Sequence, residues 1–390
     1  MKQIPKLVIE KEELTQIVEK LAQCDLIGLD TEFIRESTFY PKIALIQIAT
    51  RTEVFLLDPL AFEKEDLEDL FKVLADPKIL KVIHAAYADQ ECFYWEYGVT
   101  VAPVLDTAVA AAMLGMGDNI GLSKLLKDVL HVNLPKGRAR AKWLARPLSS
   151  ELLEYAVKDV DHLVELSEKL IDKLNKKNRF DWAVQKSFVD PSEWDEDPEV
   201  MAKRITRNSH LDARGRGAFV ELMIWREGKA RDINLPRNWI ASNETLLALA
   251  KSKPTTIEDL HSFRGLSKKE VEKSGQEIIK RIVAGSEKPV EVKKHAPEKT
   301  VKNESAKIAL LQAFVQLKAE EIGIAARMLL TQDKAASLLR NSDGGKKHWS
   351  KLGILDASSE DMIGGDLEDL IAGKIVLKFE NGEINVSRID

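Results

Sequence analysis

Two acidic residues at the end of an apolar run constrain this chain more than any other feature. Residues 26–33 read Leu-Ile-Gly-Leu-Asp-Thr-Glu-Phe, so Asp30 and Glu32 stand two positions apart. The run predicts a buried β-strand, in which side chains two apart point to the same face. Two like charges there are costly unless a positive group lies between them, and a divalent cation is the simplest candidate. An Asp at a strand end is also a common turn or capping residue, so the pair needs support from elsewhere.

The composition describes a multidomain globular protein. A length of 390 residues exceeds what one core usually supports, and 44% hydrophobic with 31% charged residues is ordinary for such proteins. No apolar stretch approaches the ~20 residues of a membrane-spanning helix, so we expect no membrane association. The N-terminus lacks the apolar segment of a signal peptide, and two cysteines give no disulfide framework, which favours a cytoplasmic protein. A net charge of −5 argues against a protein that coats nucleic acid but not against a nuclease with an acidic site.

Strand and helix patterns alternate over residues 1–180. Three closely spaced strands predict a meander, and the helices that follow indicate a mixed sheet flanked by helices. A single long helix is predicted over about 149–176. The predicted strands are 26–30, 43–50, 54–58 and 81–84, and the shorter predicted helices are 64–74, 89–97, 107–114 and 122–130.

The remaining residues form two helical units. Residues 181–207 contain an acidic stretch with two prolines and are interpreted as a connector, and residues 208–285 have an all-helical pattern. Residues 286–305 have the charged, proline-containing composition of a linker. A second helical unit is predicted over 306–390, with a terminal hairpin around Glu380-Asn381-Gly382.

Three more residues extend the acidic pair. Asp89 follows the strand at 81–84 and lies in the first turn of a predicted helix, where the helix dipole also favours a plain structural acid. Tyr155 and Asp159 are four residues apart in a helical pattern and therefore share one face. Alone, this pair is more often structural. Together with Asp30 and Glu32, however, they give one α/β unit four carboxylates and a tyrosine.

Oxygen ligands of this kind suit Mg²⁺ or Mn²⁺, and the set lacks the Cys or paired His that zinc prefers. Two such ions about 4 Å apart bind both the attacking and the leaving oxygen of a phosphodiester. Tyr155, one turn before Asp159, is placed to orient or deprotonate a water molecule. These residues therefore predict metal-dependent phosphodiester chemistry.

The chain resembles the DEDD exonucleases of the tyrosine subgroup, and more closely ribonuclease D. The three motifs are Asp30-Thr31-Glu32-Phe33, Asp89 after His84-Ala85-Ala86, and Tyr155-x-x-x-Asp159, and residues 35–47 and 143–148 are similar to ribonuclease D in particular. Residues 222–226 and 260–266 resemble the HRDC module, and the last unit looks like a degenerate HRDC-like domain. The resemblance implies an α/β ribonuclease-H-like exonuclease domain followed by two all-α HRDC-like domains.

What the family does is then an expectation for this chain. The resemblance implies 3′→5′ exonuclease action on RNA, with the 3′ ends of tRNA precursors as the likeliest target. By this analogy Asp30, Glu32, Asp89 and Asp159 hold two Mg²⁺ or Mn²⁺ ions, and Tyr155 positions the attacking water. Two alternatives stay open: a 3′→5′ DNA exonuclease with the same metal site, and a non-catalytic RNA-binding adaptor, against which the intact acids count.

Contacts to RNA are predicted from residue type and position. Four basic residues precede the Tyr155 helix and Arg146 follows them, which favours phosphate binding over a plain solvated loop. Phe39 is placed to stack on the terminal base or to pack in the core, and His84 is a functional or a core histidine. The four basic residues are Lys136, Arg138, Arg140 and Lys142.

Overall fold

The computed structural model describes residues 5–134, 141–207, 209–291 and 302–389. Its first domain is built on a six-stranded mixed sheet with the order β1-β4-β3-β2-β5-β6. The strands are β1 (Leu7–Val8), β2 (Leu26–Ile34), β3 (Lys42–Ala49), β4 (Val54–Leu57), β5 (Leu80–Ile83) and β6 (Val104–Asp106).

The central three strands form the predicted meander. β3 pairs antiparallel with β2 and with β4, whereas β1, β5 and β6 join the sheet in parallel. β1 and β6 were not predicted, because two or three residues are too few to show an alternating pattern. The predicted mixed sheet flanked by helices is confirmed.

Helices cover both faces of the sheet. Ile27 and Leu29 of β2 belong to an apolar core that also contains residues of α1, α2 and α3. The opposite face receives α6 and α7, and an added Cβ on Gly28 would lie 3.1 Å from the Leu163 Cβ, so glycine permits this close approach. The helices of this domain are α1 (Lys11–Leu21), α2 (Glu68–Ala75), α3 (Tyr87–Tyr97), α4 (Thr107–Met113), α5 (Leu122–Leu130), α6 (Ser150–Val160), α7 (Leu163–Lys176) and α8 (Phe180–Ser187).

The single helix predicted over 149–176 is two helices. α6 ends at Val160, and α7 begins at Leu163 after His162, whose ψ of 0° departs from helical geometry. α6 contacts β2, β3 and β4, whereas α7 contacts β2 and β5. The break therefore lets two consecutive apolar faces cover different strands, a tertiary requirement that helical periodicity does not report.

The second unit is a helical domain that docks on the first domain. Its central helix, α10, packs against α9, α12 and α14. Phe39, from the loop after β2, is only 6% exposed and is part of this helical core. The helices are α9 (Pro198–Thr206), α10 (Ala213–Asp232), α11 (Arg237–Ile240), α12 (Asn243–Ser252), α13 (Ile257–His261) and α14 (Lys268–Ser286).

The last unit packs on α4 and α7 of the first domain and shares an apolar core with them. Phe314 and Val315 lie in one apolar cluster with residues of α4 and α7. Arg179 fixes the contact by donating to the carbonyls of Met113, Ile322 and Gly323 at 2.7–2.8 Å. Its elements are α15 (Glu304–Ile322), α16 (Ala326–Leu329), α17 (Gln332–Arg340), α18 (Gly345–Lys351), α19 (Ala357–Ile371), β7 (Ile375–Glu380) and β8 (Glu383–Arg388).

β7 and β8 form the predicted terminal hairpin, and both turn residues, Asn381 and Gly382, have positive φ, as a two-residue hairpin turn requires. Among the described residues, none of the helices has the length and apolar character needed to cross a membrane.

Candidate active site

Three of the predicted acids meet where β2 faces α6. Asp30 and Glu32 project from β2, and Asp159 projects from α6, which contacts β2. One carboxylate oxygen of each lies within 4.8 Å of the others. Strand periodicity supplies two of these groups and helical periodicity the third, and the fold brings together Asp30 and Asp159, which are 129 positions apart.

Asp89 reaches the same site from α3, where it occupies the first turn as predicted. It is 6% exposed and lies outside the group of three whose oxygens are within 4.8 Å. Its Oδ1 accepts hydrogen bonds from the Thr31 backbone N–H at 3.1 Å and the Thr31 hydroxyl at 2.5 Å. Because Thr31 lies between Asp30 and Glu32, these bonds tie Asp89 directly to the first motif.

Burial raises the pKa of all four carboxyl groups, and neighbouring carboxylates raise those of Asp30 and Glu32 further. Burial, followed by the charges of Asp89, Asp159 and Glu32, holds the pKa of Asp30 well above its usual range. Burial and the charges of Asp159 and Asp89 raise the pKa of Glu32 to about 8. Burial also raises the pKa of Asp89 to about 7 and that of Asp159 to about 6. An oxygen-rich, crowded and partly desolvated set of this kind fits hard divalent cations.

Tyr155 lies one helical turn before Asp159 and shares a hydrogen bond with it. Ser149 begins the helix by accepting from the Leu152 N–H, which sets the position of both residues. Burial, followed by the charges of Asp159 and Glu32, raises the pKa of Tyr155, so its phenol stays protonated at neutral pH. In this structure Tyr155 is therefore a hydrogen-bond partner and not a general base.

The ring of Tyr155 packs on a buried tryptophan that an ion pair supports. Trp143 is 1% exposed, and its ring centroid lies 6.1 Å from that of Tyr155. Arg146 donates to the Trp143 carbonyl at 2.7 Å and grips Asp58 through Nε and Nη2 at 2.5 and 2.7 Å. The segment before α6 is thereby fixed to the end of β4.

Arg146 is engaged within the protein, and the phosphate contact predicted for it stays a prediction. Its remaining two N–H groups donate to the carbonyls of Ala145 and Ala44 at 2.9 and 2.6 Å, so all five guanidinium donors are used within the protein. Phe39 packs in the core, one of the two roles predicted for it, and its stacking on a base stays a prediction. Phe39 is buried in the domain interface, where Arg231 and Arg237 lie over its ring.

Two other predicted RNA contacts also stay predictions. His84 is half-buried, its Nδ1 lies 2.8 Å from the Thr107 hydroxyl, and burial lowers its pKa, so the ring is neutral at pH 7. Lys142 is exposed in the segment that leads to α6. The remaining three, Lys136, Arg138 and Arg140, lie outside the described residues.

Sequence reasoning missed Asp106, which organises the turn in front of Asp89. Its carboxylate accepts the N–H groups of Ala85 and Ala86 at 2.9 and 3.0 Å and that of Ala108 at 2.8 Å. Ala85 has a φ of +58°, a conformation that this carboxylate supports by binding its N–H. The sequence pattern that could have identified Asp106 is an Asp at the end of an apolar run, the same pattern that identified Asp30.

The sheet, the acid cluster and the helical domain beside them define a 3′-5′ exonuclease fused to an HRDC domain. Residues 5–175 match the family described as 3′-5′ exonuclease, and residues 216–282 match the HRDC domain.

Similar proteins show which family of 3′-5′ exonucleases this chain resembles. Ribonuclease D of Sphingobium indicum is 32% identical over 99% of both chains, and that of Zymomonas mobilis is 33% identical over 100% of this chain and 99% of its own. The crystal structure of Escherichia coli RNase D, described as an exoribonuclease involved in structured RNA processing, covers 94% of this chain and 98% of its own at a TM-score of 0.80 and 25% identity. This chain belongs to the ribonuclease D family of 3′→5′ exoribonucleases. The resemblance, the fold class and the enzyme class expected from the sequence are confirmed.

Proposed function

We propose that this exoribonuclease removes nucleotides from RNA 3′ ends with two divalent cations, Mg²⁺ or Mn²⁺, held by Asp30, Glu32, Asp89 and Asp159. The observation that carries the proposal is the meeting of carboxylate oxygens from Asp30, Glu32 and Asp159 within 4.8 Å. When bound, such ions activate a water molecule and neutralise charge on the phosphate that is attacked. Burial raises all four pKa values, and neighbouring carboxylates raise those of Asp30 and Glu32 further; positive charge offsets both effects, so the donor set fits the ions.

Each residue has a separate task in this proposal. Asp30 and Glu32, on rigid β2, present oxygens in a fixed direction, and Asp159 closes the site from α6. Asp89 is held by Thr31 through two hydrogen bonds, so its second oxygen, Oδ2, is the one available to a cation. Fixed ligands reduce the reorganisation that catalysis would otherwise require.

Tyr155 would orient the attacking water. Its hydroxyl is already placed by Asp159 and its ring by Trp143. Because the phenol holds its proton at neutral pH, hydrogen bonding to the water is its primary task in this form of the protein. We expect Tyr155→Phe to slow turnover by more than about tenfold with the fold intact.

The natural substrate in this proposal is the 3′ end of structured RNA, with tRNA precursors as the first to examine. Membership of the ribonuclease D family and the structured-RNA role described for the Escherichia coli enzyme support this choice. We propose that the exonuclease domain (1–180) performs the reaction. The connector (181–207) and the linker (286–305) join it to the HRDC domain (208–285) and the C-terminal HRDC-like domain (306–390), which present the RNA. His84 and Lys142 remain proposed RNA contacts.

The decisive experiment measures degradation of matched 3′-tailed RNA and DNA hairpins with Mg²⁺ or EDTA. Asp30→Asn is compared with wild type and with Asp172→Asn, which makes the same change on an exposed part of α7. We expect RNA trimming that EDTA and Asp30→Asn abolish and Asp172→Asn leaves unchanged. Cleavage in EDTA or full activity of Asp30→Asn would overturn the metal proposal. Preference for the DNA tail would assign the site to a DNA exonuclease, and RNA binding without cleavage to an adaptor.

A further inference from the structure

Gln47 is a buried polar residue that has no hydrogen-bond partner. It lies in β3 and is 0% exposed, and neither its Nε2 nor its Oε1 bonds to any group in the described part of the chain. Buried side-chain amides are nearly always satisfied, because a buried polar group without a hydrogen bond destabilises the fold. An unpaired amide in a central strand therefore suggests that Gln47 has a functional role.

The strand register places Gln47 beside the acid cluster. In the antiparallel β2–β3 pair it lies directly opposite Asp30, and Leu45 lies opposite Glu32. Residues directly opposite each other point to the same face, with Cβ atoms about 4.5–5.5 Å apart. The Gln47 side chain therefore shares the face of Asp30 and Glu32, beneath α6, which contacts β2, β3 and β4.

The strand neighbour on the other side of Gln47 offers no polar side chain. On its second side Gln47 lies opposite Leu56 of β4, which is apolar and 0% exposed. Leu56 belongs with Leu45, Trp143 and Ala156 to the apolar cluster under α6. Full burial also keeps the amide from RNA. Of the two strand neighbours directly across from Gln47, Asp30 alone has a polar side chain.

We propose that Gln47 is a positioning residue for Asp30, with its Nε2 donating to the Asp30 carboxylate when that group holds a divalent cation. This inference rests on the proposed function, in which Asp30 is a ligand. A donor behind a ligand fixes the direction of the ligand oxygen, and loss of such a partner typically weakens metal binding by about 10–100-fold. Gln47 would act through Asp30 without touching RNA or water.

The test compares Gln47→Met, which keeps the volume and removes the amide, with wild type. Mn²⁺ binding to the RNA-free protein is measured by isothermal titration calorimetry, and the melting temperature is measured in EDTA. We expect the Kd for Mn²⁺ to rise about 10–100-fold, with a melting temperature in EDTA equal to or above that of wild type because an unpaired buried amide is gone. Activity returns at high Mn²⁺ with an unchanged KM for RNA.

Two further variants keep the inference testable. Ile48→Val, on the opposite face of β3, removes a buried methylene and should lower the melting temperature without changing Mn²⁺ affinity. Gln47→Asn keeps the amide but shortens its reach, so we expect weakened Mn²⁺ binding here too if Gln47→Met does not fold. An Mn²⁺ affinity within twofold of wild type in the folded Gln47 variants would overturn the inference.

The failure of this inference is distinguishable from failure of the proposed function. If wild type binds Mn²⁺ and Asp30→Asn does not, while Gln47→Met binds as wild type does, only the role of Gln47 is wrong. If wild type itself binds no Mn²⁺, or Asp30→Asn binds and cleaves as wild type does, the metal site is wrong and the role of Gln47 falls with it.

Discussion

Glu32→Gln is expected to stabilise the metal-free protein at alkaline pH. Burial, together with the charges of Asp159 and Asp89, raises the pKa of Glu32 from 4.5 to about 8. The folded protein therefore holds a proton that the unfolded chain releases. The stability associated with that proton is fully present below pH 4.5 and is lost as the pH rises through about 8. A glutamine at this position carries no charge and does not incur the loss.

The magnitude follows from the pKa difference. Between 4.5 and about 8, linkage gives an upper limit of roughly 4 kcal/mol lost at pH 8. Glu32 is only half-buried, so solvent screening reduces the expected gain on substitution to about 1–2 kcal/mol. For a protein of 390 residues, that corresponds to a rise in melting temperature of about 1–3 °C.

The assay is thermal unfolding in EDTA at several pH values from 5 to 8.5, with Mg²⁺ replacing EDTA in a second series. We expect Glu32→Gln to melt above wild type at pH 8, with the difference shrinking toward pH 5. Added Mg²⁺ should stabilise wild type more than the variant, because the variant has lost a ligand.

Glu19→Gln, on an exposed part of α1, makes the same chemical change away from the site and should melt as wild type does at every pH. The reasoning is refuted if Glu32→Gln melts below wild type in EDTA at pH 8, or if its advantage does not depend on pH.

Three other substitutions test the supports of the site. Arg146→Met leaves buried Asp58 unpaired, so we expect a loss of about 3 kcal/mol in unfolding free energy, measured by urea titration, and slower RNA trimming because Tyr155 loses its support. Thr31→Val removes a hydroxyl donor from Asp89, which should weaken Mn²⁺ binding by about tenfold in calorimetry; unchanged binding would contradict the positioning role. Phe39→Ala should cost about 3–5 kcal/mol and expose the domain interface to limited proteolysis, whereas a base-stacking residue would raise only the KM for RNA.

Protons and divalent cations compete for the acid cluster, so metal binding should depend on pH. The pKa values of Asp89 and Asp159 are raised to about 7 and about 6, so both groups compete for protons near neutral pH. A cation must displace these protons, so affinity for divalent ions should increase from pH 6 to pH 8. This trend has the opposite sign to the stability of the metal-free fold.

The structure contains those predicted strands, helices and turns that depend on a short stretch of sequence. The apolar run of β2, the Tyr155/Asp159 spacing on α6 and the Asn381-Gly382 turn each depend on a few consecutive residues, and the structure contains all three elements. The prediction of one long helix over 149–176 was wrong. The helix is interrupted at His162, so that α6 and α7 can cover different strands of the sheet. Periodicity along the chain carries no information about that choice.

The sequence by itself determined which side chains share a face: strand periodicity put Asp30 and Glu32 on one face of β2, and helical periodicity put Tyr155 and Asp159 on one face of α6. The fold then brought these two faces together. Only the tertiary structure decided which polar side chains support the residues on these faces. Arg146 and Asp58 are 88 residues apart, and no local pattern shows that the arginine spends all its donors inside the protein. Gln47 likewise reads as one polar residue in an apolar strand until the register sets it opposite Asp30. The physical reason is that face and spacing are properties of a segment, whereas hydrogen-bond partners are chosen between segments that only the folded chain brings together.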